Sequence, residues 1–271
     1  MKFKSALQGL LSEDELRHVR RYEVIGDIAI VSIPDEIENR KAEIADVIRK
    51  QNKSIKTVLQ RLGGAEGVER VHRYEILYGD KTETLYRENG CIFHVDPTKV
   101  YVSPRMNAER TRLLNLAKDG EGILCAFAGI GLFPVVLARH LNASVYAVEI
   151  SSVACEFMER NIKANSVSDK IRVFCGDARE VLPEICEKFD RVIMPTPKGE
   201  VSERFRFLKL GMDYLQEHGT MHYYTFASES EIKEWRKRGL NIRNCGSYAP
   251  SVYRIVIDVT GNFREFDFDK L

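Results

Sequence analysis

The feature that most constrains this chain is a Gly-x-Gly turn between an apolar strand and an apolar helix. Ile123 to Phe127 reads as the strand, Ala128-Gly129-Ile130-Gly131 as the turn and Leu132 to Leu141 as the helix. Such a turn seldom stands alone, because a short buried strand needs parallel neighbours, and these are joined by crossover helices. The rest of the chain supplies them. Strands are expected at Ser144 to Val148, Ile171 to Phe174, Arg191 to Met194, Gly219 to Phe226 and Tyr253 to Val259. Helical patterns separate them at about Val153 to Asn165, Arg179 to Glu187, Phe205 to Leu215 and Glu229 to Arg238, and another precedes them at Pro104 to Ala117. Alternating apolar strands and helices specify an α/β unit with a doubly wound, mainly parallel sheet.

The first third follows another rhythm. Ser12-Glu-Asp-Glu has the form of an N-cap with an acidic first turn. Val24 to Ile33 reads as a strand pair or one bent strand ended by Pro34, and a charged helix is expected from Glu36 to Lys50. A short strand at Thr57 to Leu59 precedes a Gly63-Gly64/Gly67 loop, and β-like runs follow at His72 to Tyr78, Thr82 to Tyr86 and Cys91 to Val95. Strands in quick succession predict a small antiparallel α+β domain over residues 1–97, with the larger domain over 98–271.

Composition removes several classes. Of the 271 residues, 44% are hydrophobic and 30% charged, which suits a globular chain and not a disordered one. No apolar run is long enough to span a bilayer, and Met1 to Leu10 lacks a signal-peptide core, so a cytoplasmic protein without membrane contact is expected. The six cysteines are scattered without a CxxC pair, so neither a metal site nor a disulfide framework is expected. A net charge of +1 gives no global basic excess, but Arg17 to Arg21 and Arg70 to Arg73 are locally basic.

Three successive strand ends carry ligand chemistry. Gly129 and Gly131 let the backbone approach a ligand and aim helix N–H groups at it. The third glycine of the dinucleotide pattern is replaced by Pro134, which argues against a nicotinamide or flavin dinucleotide. Glu149, 18 residues beyond Gly131, can accept ribose hydroxyls. Asp177 can accept an adenine amino group, and Ala178 offers a backbone N–H. Strand ends of an open sheet meet in one crevice, so an adenosyl ligand is expected there. The closing strands, Gly219 to Phe226 and Tyr253 to Val259, do not cross into a second nucleotide-binding half. This resembles the usual ending of class I S-adenosylmethionine (SAM) methyltransferases more than that of a dehydrogenase.

Two segments are candidates for chemistry. Ser103-Pro104-Arg105 opens a helix in which Arg105 and Glu109, four apart, share a face as a cation and a base. Pro195-Thr196-Pro197 makes a stiff turn after the fourth strand, where a substrate base would lie.

These motifs, in this order, resemble the archaeal and eukaryotic tRNA guanine-37 N1-methyltransferases and the related aminocarboxypropyltransferases of wybutosine synthesis. The resemblance runs from Tyr22 to Val259 through Val24-Ile-Gly-Asp-Ile-Ala-Ile, Arg73-Tyr-Glu-Ile-Leu-Tyr-Gly, Lys99-Val-Tyr-Val-Ser-Pro-Arg, Phe127-Ala-Gly-Ile-Gly, Asp190-Arg-Val-Ile-Met and His222-Tyr-Tyr-Thr. It implies a Rossmann-like class I fold, SAM as cofactor, and tRNA, through its anticodon arm, as partner of a monomeric enzyme. Phe127, Gly129, Gly131, Glu149, Asp177 and Ala178 would bind the cofactor. Glu109 would be the general base that takes the N1 proton, Arg70 the cation near O6, and Arg105 a support for base and cofactor. Tyr101, Pro195 and Pro197 would line the substrate pocket. The Ser-Pro-Arg sequence, Pro197 and His222-Tyr-Tyr-Thr favour methyl over aminocarboxypropyl transfer. Two departures stand out: Cys125 where the family has Asp, and Pro195 where it has the Asn that contacts guanine. They leave open a non-catalytic SAM- or tRNA-binding member. The N-terminal segment is too short for the extra domain with which many archaeal relatives grip the tRNA elbow, so binding is expected to rest on the small domain and the anticodon arm.

Overall fold

The computed structural model describes residues 3–19, 21–66, 71–198 and 205–260. The chain forms two compact units: residues 1–87 with 92–102, and 88–91 with 103–271.

In the first unit, helices α1 (Phe3–Ala6) and α2 (Glu13–His18) precede strands β1 (Glu23–Ile25) and β2 (Ile28–Val31). The expected cap is present, with Ser12 and Glu15 forming a reciprocal capping box. The charged helix begins later than its sequence suggests. Asp35–Arg40 is a 3-10 turn, and α3 (Lys41–Gln51) starts only after it. Strands β3 (Thr57–Glu66) and β4 (Val71–Tyr78) complete a sheet of order β1-β2-β3-β4.

That sheet corrects the expectation of an antiparallel unit, because β2 and β3 are parallel. Helix α3 is their crossover, and Ile44, Ala45 and Ile48 bury its apolar face in the unit's core. Gly63 and Gly64 lie within β3 and not in a loop. Strands β5 (Thr84–Glu88) and β6 (Cys91–Val95) form a separate pair.

The second unit contains α4 (Asn107–Leu116), β7 (Gly122–Ala126), α5 (Leu132–His140), β8 (Ser144–Glu149), α6 (Ser152–Ala164), β9 (Ile171–Cys175), α7 (Ala178–Val181), β10 (Phe189–Pro195), α8 (Arg206–Met212), β11 (Leu215–Ser228), α9 (Glu229–Lys237), β12 (Asn241–Ala249) and β13 (Val252–Thr260). The seven strands run in the order β9-β8-β7-β10-β11-β13-β12. The first five are parallel, as the alternation requires, and β13 is antiparallel to both β11 and β12.

The doubly wound reading therefore holds, with a mixed closing edge and three closing strands instead of two. Strand β12 was invisible because most of its side chains are exposed or half-buried, so it lacks apolar alternation. Period-two alternation sorts the central strands cleanly. Leu124, Ala126, Val192, Met194, Met221, Tyr223, Ile255 and Ile257 fill one core, packed against α8 and α9 residues such as Leu208 and Trp235. The opposite face carries Cys125, Ile193, His222, Tyr224 and Asp258.

Candidate active site

The glycine turn is built by local backbone and pinned by distant side chains. Phe127, Gly129 and Gly131 all have left-handed φ values, of 59°, 57° and 88°. That region is cheap for glycine and uncommon for phenylalanine. The Phe127 ring meets Phe207 edge-on at 4.9 Å. A Cβ at Gly131 would lie 2.9 Å from Met158 Cγ, so α6 packs directly onto the turn. A Cβ at Gly129 would meet nothing within 4 Å, which leaves the outer side of the turn open to a ligand.

Glu149 accepts the Gly129 N–H (2.7 Å) through one carboxylate oxygen and the Ser151 N–H (3.0 Å) through the other. Its own carbonyl accepts the Gly176 N–H at 2.8 Å, so a single residue ties together the ends of β7, β8 and β9. Buried Asn161, whose importance the sequence did not signal, donates from Nδ2 to the Ile130 carbonyl at 3.0 Å. The carboxylate, the glycine backbone and the open outer side fit a ribose-bearing ligand.

The third acceptor, Asp177, follows the end of β9 and has a partner of its own. Asp177 caps α7, and its carboxylate is engaged by the main-chain N–H and guanidinium of Arg179. This ion pair holds the carboxyl below the usual carboxylate range. Ala178 is buried in the core. Cys125 is fully buried, and burial, with the Glu149 charge adding to it, pushes its thiol far up. It is a neutral core group and does not replace the missing carboxylate.

Glu109 lies in the first turn of α4, on the other face of the sheet from the larger core. Pro104 to Met106 forms a 3-10 turn before it, and Ser103 makes no side-chain cap there. The start of α4 is held instead by Arg110, which is buried, ion-paired with Glu88 and hydrogen-bonded to the Ser103 carbonyl.

Three donors from three elements converge on Glu109. Glu109 is buried and accepts from Arg112 Nε (2.8 Å), Arg243 Nε (3.1 Å) and the Tyr224 hydroxyl (3.2 Å). Burial, then the Glu109 charge, holds the Tyr224 phenol well above its ordinary value, so it stays a donor. Burial opposes the charge of Arg112, but the Asp258 carboxylate and Glu109 more than compensate and raise its pKa. The residues missed from sequence are thus Arg112, Tyr224, Arg243 and Asp258. Arg112 follows Glu109 by three, a helical neighbour spacing, and His222 and Tyr224 are two apart on one strand face. Nothing local signals Arg243 or Asp258.

Pro195 ends β10 and is half-buried, while Pro197 is exposed. Between them, Thr196 is locked by its hydroxyl to the Tyr224 carbonyl at 2.7 Å. Tyr101, on the first unit, is 48% exposed. Arg70 lies outside the described residues.

Residues 84–243 match the family model for the TRM5/TYW2 methyltransferase domain. The chain belongs to the TRM5/TYW2 family. Residues 3–82 match the TYW2 N-terminal domain. Among TRM5 relatives, the Pyrococcus abyssi tRNA (guanine(37)-N(1))-methyltransferase Trm5b is 34% identical, over 89% of this chain and 75% of its own. On the TYW2 side, the Methanocaldococcus jannaschii tRNA(Phe) (4-demethylwyosine(37)-C(7)) aminocarboxypropyltransferase is 30% identical, over 88% of this chain and 96% of its own. The crystal structure of Methanocaldococcus jannaschii Trm5 in complex with adenosine superposes with a TM-score of 0.78 at 30% identity, covering 96% of this chain and 78% of that one. TRM5/TYW2 membership accounts for the class I fold, and no described helix is long and apolar enough to cross a membrane.

Proposed function

We propose that this protein is a SAM-dependent tRNA methyltransferase that modifies N1 of guanosine 37. The observation that carries this reading is the 34% identity to the Trm5b methyltransferase over most of both chains, joined to a buried Glu109 that accepts from Arg112, Arg243 and Tyr224. Bound SAM supplies the methyl group. Gly129 and Glu149 hold its ribose end, Phe127 and Gly131 shape the turn, and Asp177 and Ala178 flank the adenine side. Glu109 accepts the N1 proton as that nitrogen becomes nucleophilic. A positioned carboxylate in a dry site does this well. For the proton to arrive, one donor must yield to the incoming N1–H. Arg243 is the one that can, because its side chain is 60% exposed whereas that of Arg112 is mostly buried. Arg105 supports the base, and Arg70, Tyr101, Pro195 and Pro197 are proposed substrate contacts. The anticodon arm is the proposed RNA partner, since N1 is accessible only in an unpaired, splayed-out base. We further propose a cytoplasmic monomer.

Aminocarboxypropyl transfer is the second reading, favoured by the match of residues 3–82 to the TYW2 N-terminal domain. One experiment separates the two. Transcript tRNA with guanosine 37 and, in parallel, tRNA carrying 4-demethylwyosine 37 are incubated with SAM labelled either on the methyl group or on the aminocarboxypropyl carbons, and the product nucleoside is mapped. Methyl label in 1-methylguanosine is the expected result. Label from the amino-acid carbons alone selects the second reading, and label from neither, with SAM bound, rejects both.

A further inference from the structure

Glu109 belongs to a continuous row of buried and half-buried charged groups, of which Asp258, His222, Arg191 and Glu121 have no part in the reaction as derived. Arg112 donates Nε to Glu109 and turns its two terminal nitrogens to Asp258, at 2.9 and 3.3 Å. Asp258 accepts from His222 Nδ1 at 2.6 Å. The other ring nitrogen, Nε2, lies 2.6 Å from Arg191, which pairs with Glu121 through two 2.8 Å contacts. These groups come from α4, β10, β11, β13 and the residue just before β7, and β12 adds Arg243.

The row has a determined protonation pattern. A guanidinium can only donate, so His222 Nε2 must accept and Nδ1 carries the proton toward Asp258. Burial also keeps the imidazole neutral. Glu121, Asp258 and Glu109 alternate with Arg191, Arg112 and Arg243, and charge balances along the row. Arg112 therefore divides its guanidinium between two carboxylates. Asp258 fixes one edge of that plane, and this sets which edge Glu109 receives and how strongly it is gripped.

We propose that Asp258 and His222 are a positioning pair which, acting through Arg112, holds Glu109 in the orientation and charge environment that a general base needs. The pair touches no substrate. This rests on the reading of Glu109 as the base. Asp258→Asn keeps the shape but weakens its hold on Arg112, so Arg112 turns its full charge on Glu109. His222→Gln removes the donor that holds Asp258.

The groups facing Glu109 are Arg112, Tyr224 and Arg243, with Cys245 near Tyr224. Arg191 faces His222 from the far side. Of these, only the hold exerted by Arg112 changes directly in Asp258→Asn.

The test measures kcat, KM for tRNA, SAM affinity and the kcat–pH profile of the full chain. It compares wild type with Asp258→Asn, His222→Gln, Glu109→Gln and the double variant Asp258→Asn/Glu109→Gln. Tyr146→Phe serves as a control that removes a structural hydroxyl bonded to Glu187 (2.7 Å), in the core on the other face of the sheet. We expect Asp258→Asn to lower kcat by about 10–100-fold, the loss that misplacing a reacting group brings. KM and SAM affinity should stay within about twofold. The acid side of the profile should move to lower pH, and His222→Gln should move it the same way by less. Asp258→Asn should cost nothing further once Glu109 is Gln. The control should lower the melting temperature without moving the profile. Full activity in Glu109→Gln would overturn the base assignment itself. Loss in Glu109→Gln, combined with an unmoved profile and additive loss in Asp258→Asn, would overturn the positioning pair alone.

Discussion

The glycine turn and the Glu109 cluster sit on the same unit but are built by opposite means. The turn is main chain: three left-handed residues within five positions, with one carboxylate and one amide closing it. The Glu109 cluster is side chain throughout. Its partners lie 3, 115 and 134 residues away, and Asp258 lies 146 residues from Arg112. The first needs only a strand and a helix in register. The second needs α4, β11, β12 and β13 all in place. Binding and chemistry should therefore fail separately under substitution.

The largest separation is expected at Glu109, the proposed base. Glu109→Gln should lower single-turnover methyl transfer by about 10²–10⁴-fold, the range for a positioned acid–base group, while SAM binding by calorimetry stays near wild type. A variant that loses SAM binding as well would merge the two regions. Next comes Arg112→Ala, which leaves buried Glu109 and half-buried Asp258 without their shared cation. Stability should fall by about 3–5 kcal/mol in urea unfolding, as for other broken buried pairs.

At the turn the pattern should invert. Glu149→Gln keeps an acceptor but removes the charge, and should weaken SAM binding by about tenfold, the scale of one charge-assisted hydrogen bond. Residual turnover at saturating SAM should be nearly unchanged.

A smaller effect sharpens the protonation pattern. Burial holds His222 below its ordinary value, so the unfolded chain takes up this proton before the folded one does. Stability must then fall as pH drops below about 6.5, by at most about 1.4 kcal/mol per pH unit from this group. The difference between wild type and His222→Gln, followed by urea unfolding from pH 7.5 to 5, should show that slope. A difference that is flat with pH would mean the imidazole charges freely in the fold. Smallest of all, Arg243→Ala should change stability by less than about 1 kcal/mol because its side chain is largely exposed.

The same contrast explains what the sequence could disclose. The strand–turn–helix at 123–141, Glu149 at the next strand end and the capped helix after Ser12 are local patterns, and each was legible. Glu109 was legible as a residue but not in its setting, because propensity and spacing say nothing about Arg243 or Asp258. Strand β12 carries polar residues along a sheet edge, and edge strands need not alternate. The small unit was misjudged for a related reason. A run of strands suggests hairpins, but α3 turns β2 and β3 into a parallel crossover. Asp177 is legible as a carboxylate after a strand end, but its pairing with Arg179, two residues on, is not.

The placement of β13 carries a consequence for synthesis. It is the last described strand in the chain, yet it lies between β11 and β12 in the sheet and carries Asp258. A nascent chain can form the glycine turn once α6 has emerged. It cannot assemble the surroundings of Glu109 until β13 has been made. During translation at about 5–20 residues per second, the ligand-binding half therefore has several seconds of existence before the reactive half. A ribosome-bound intermediate stalled before Val252 should bind cofactor without being able to turn it over.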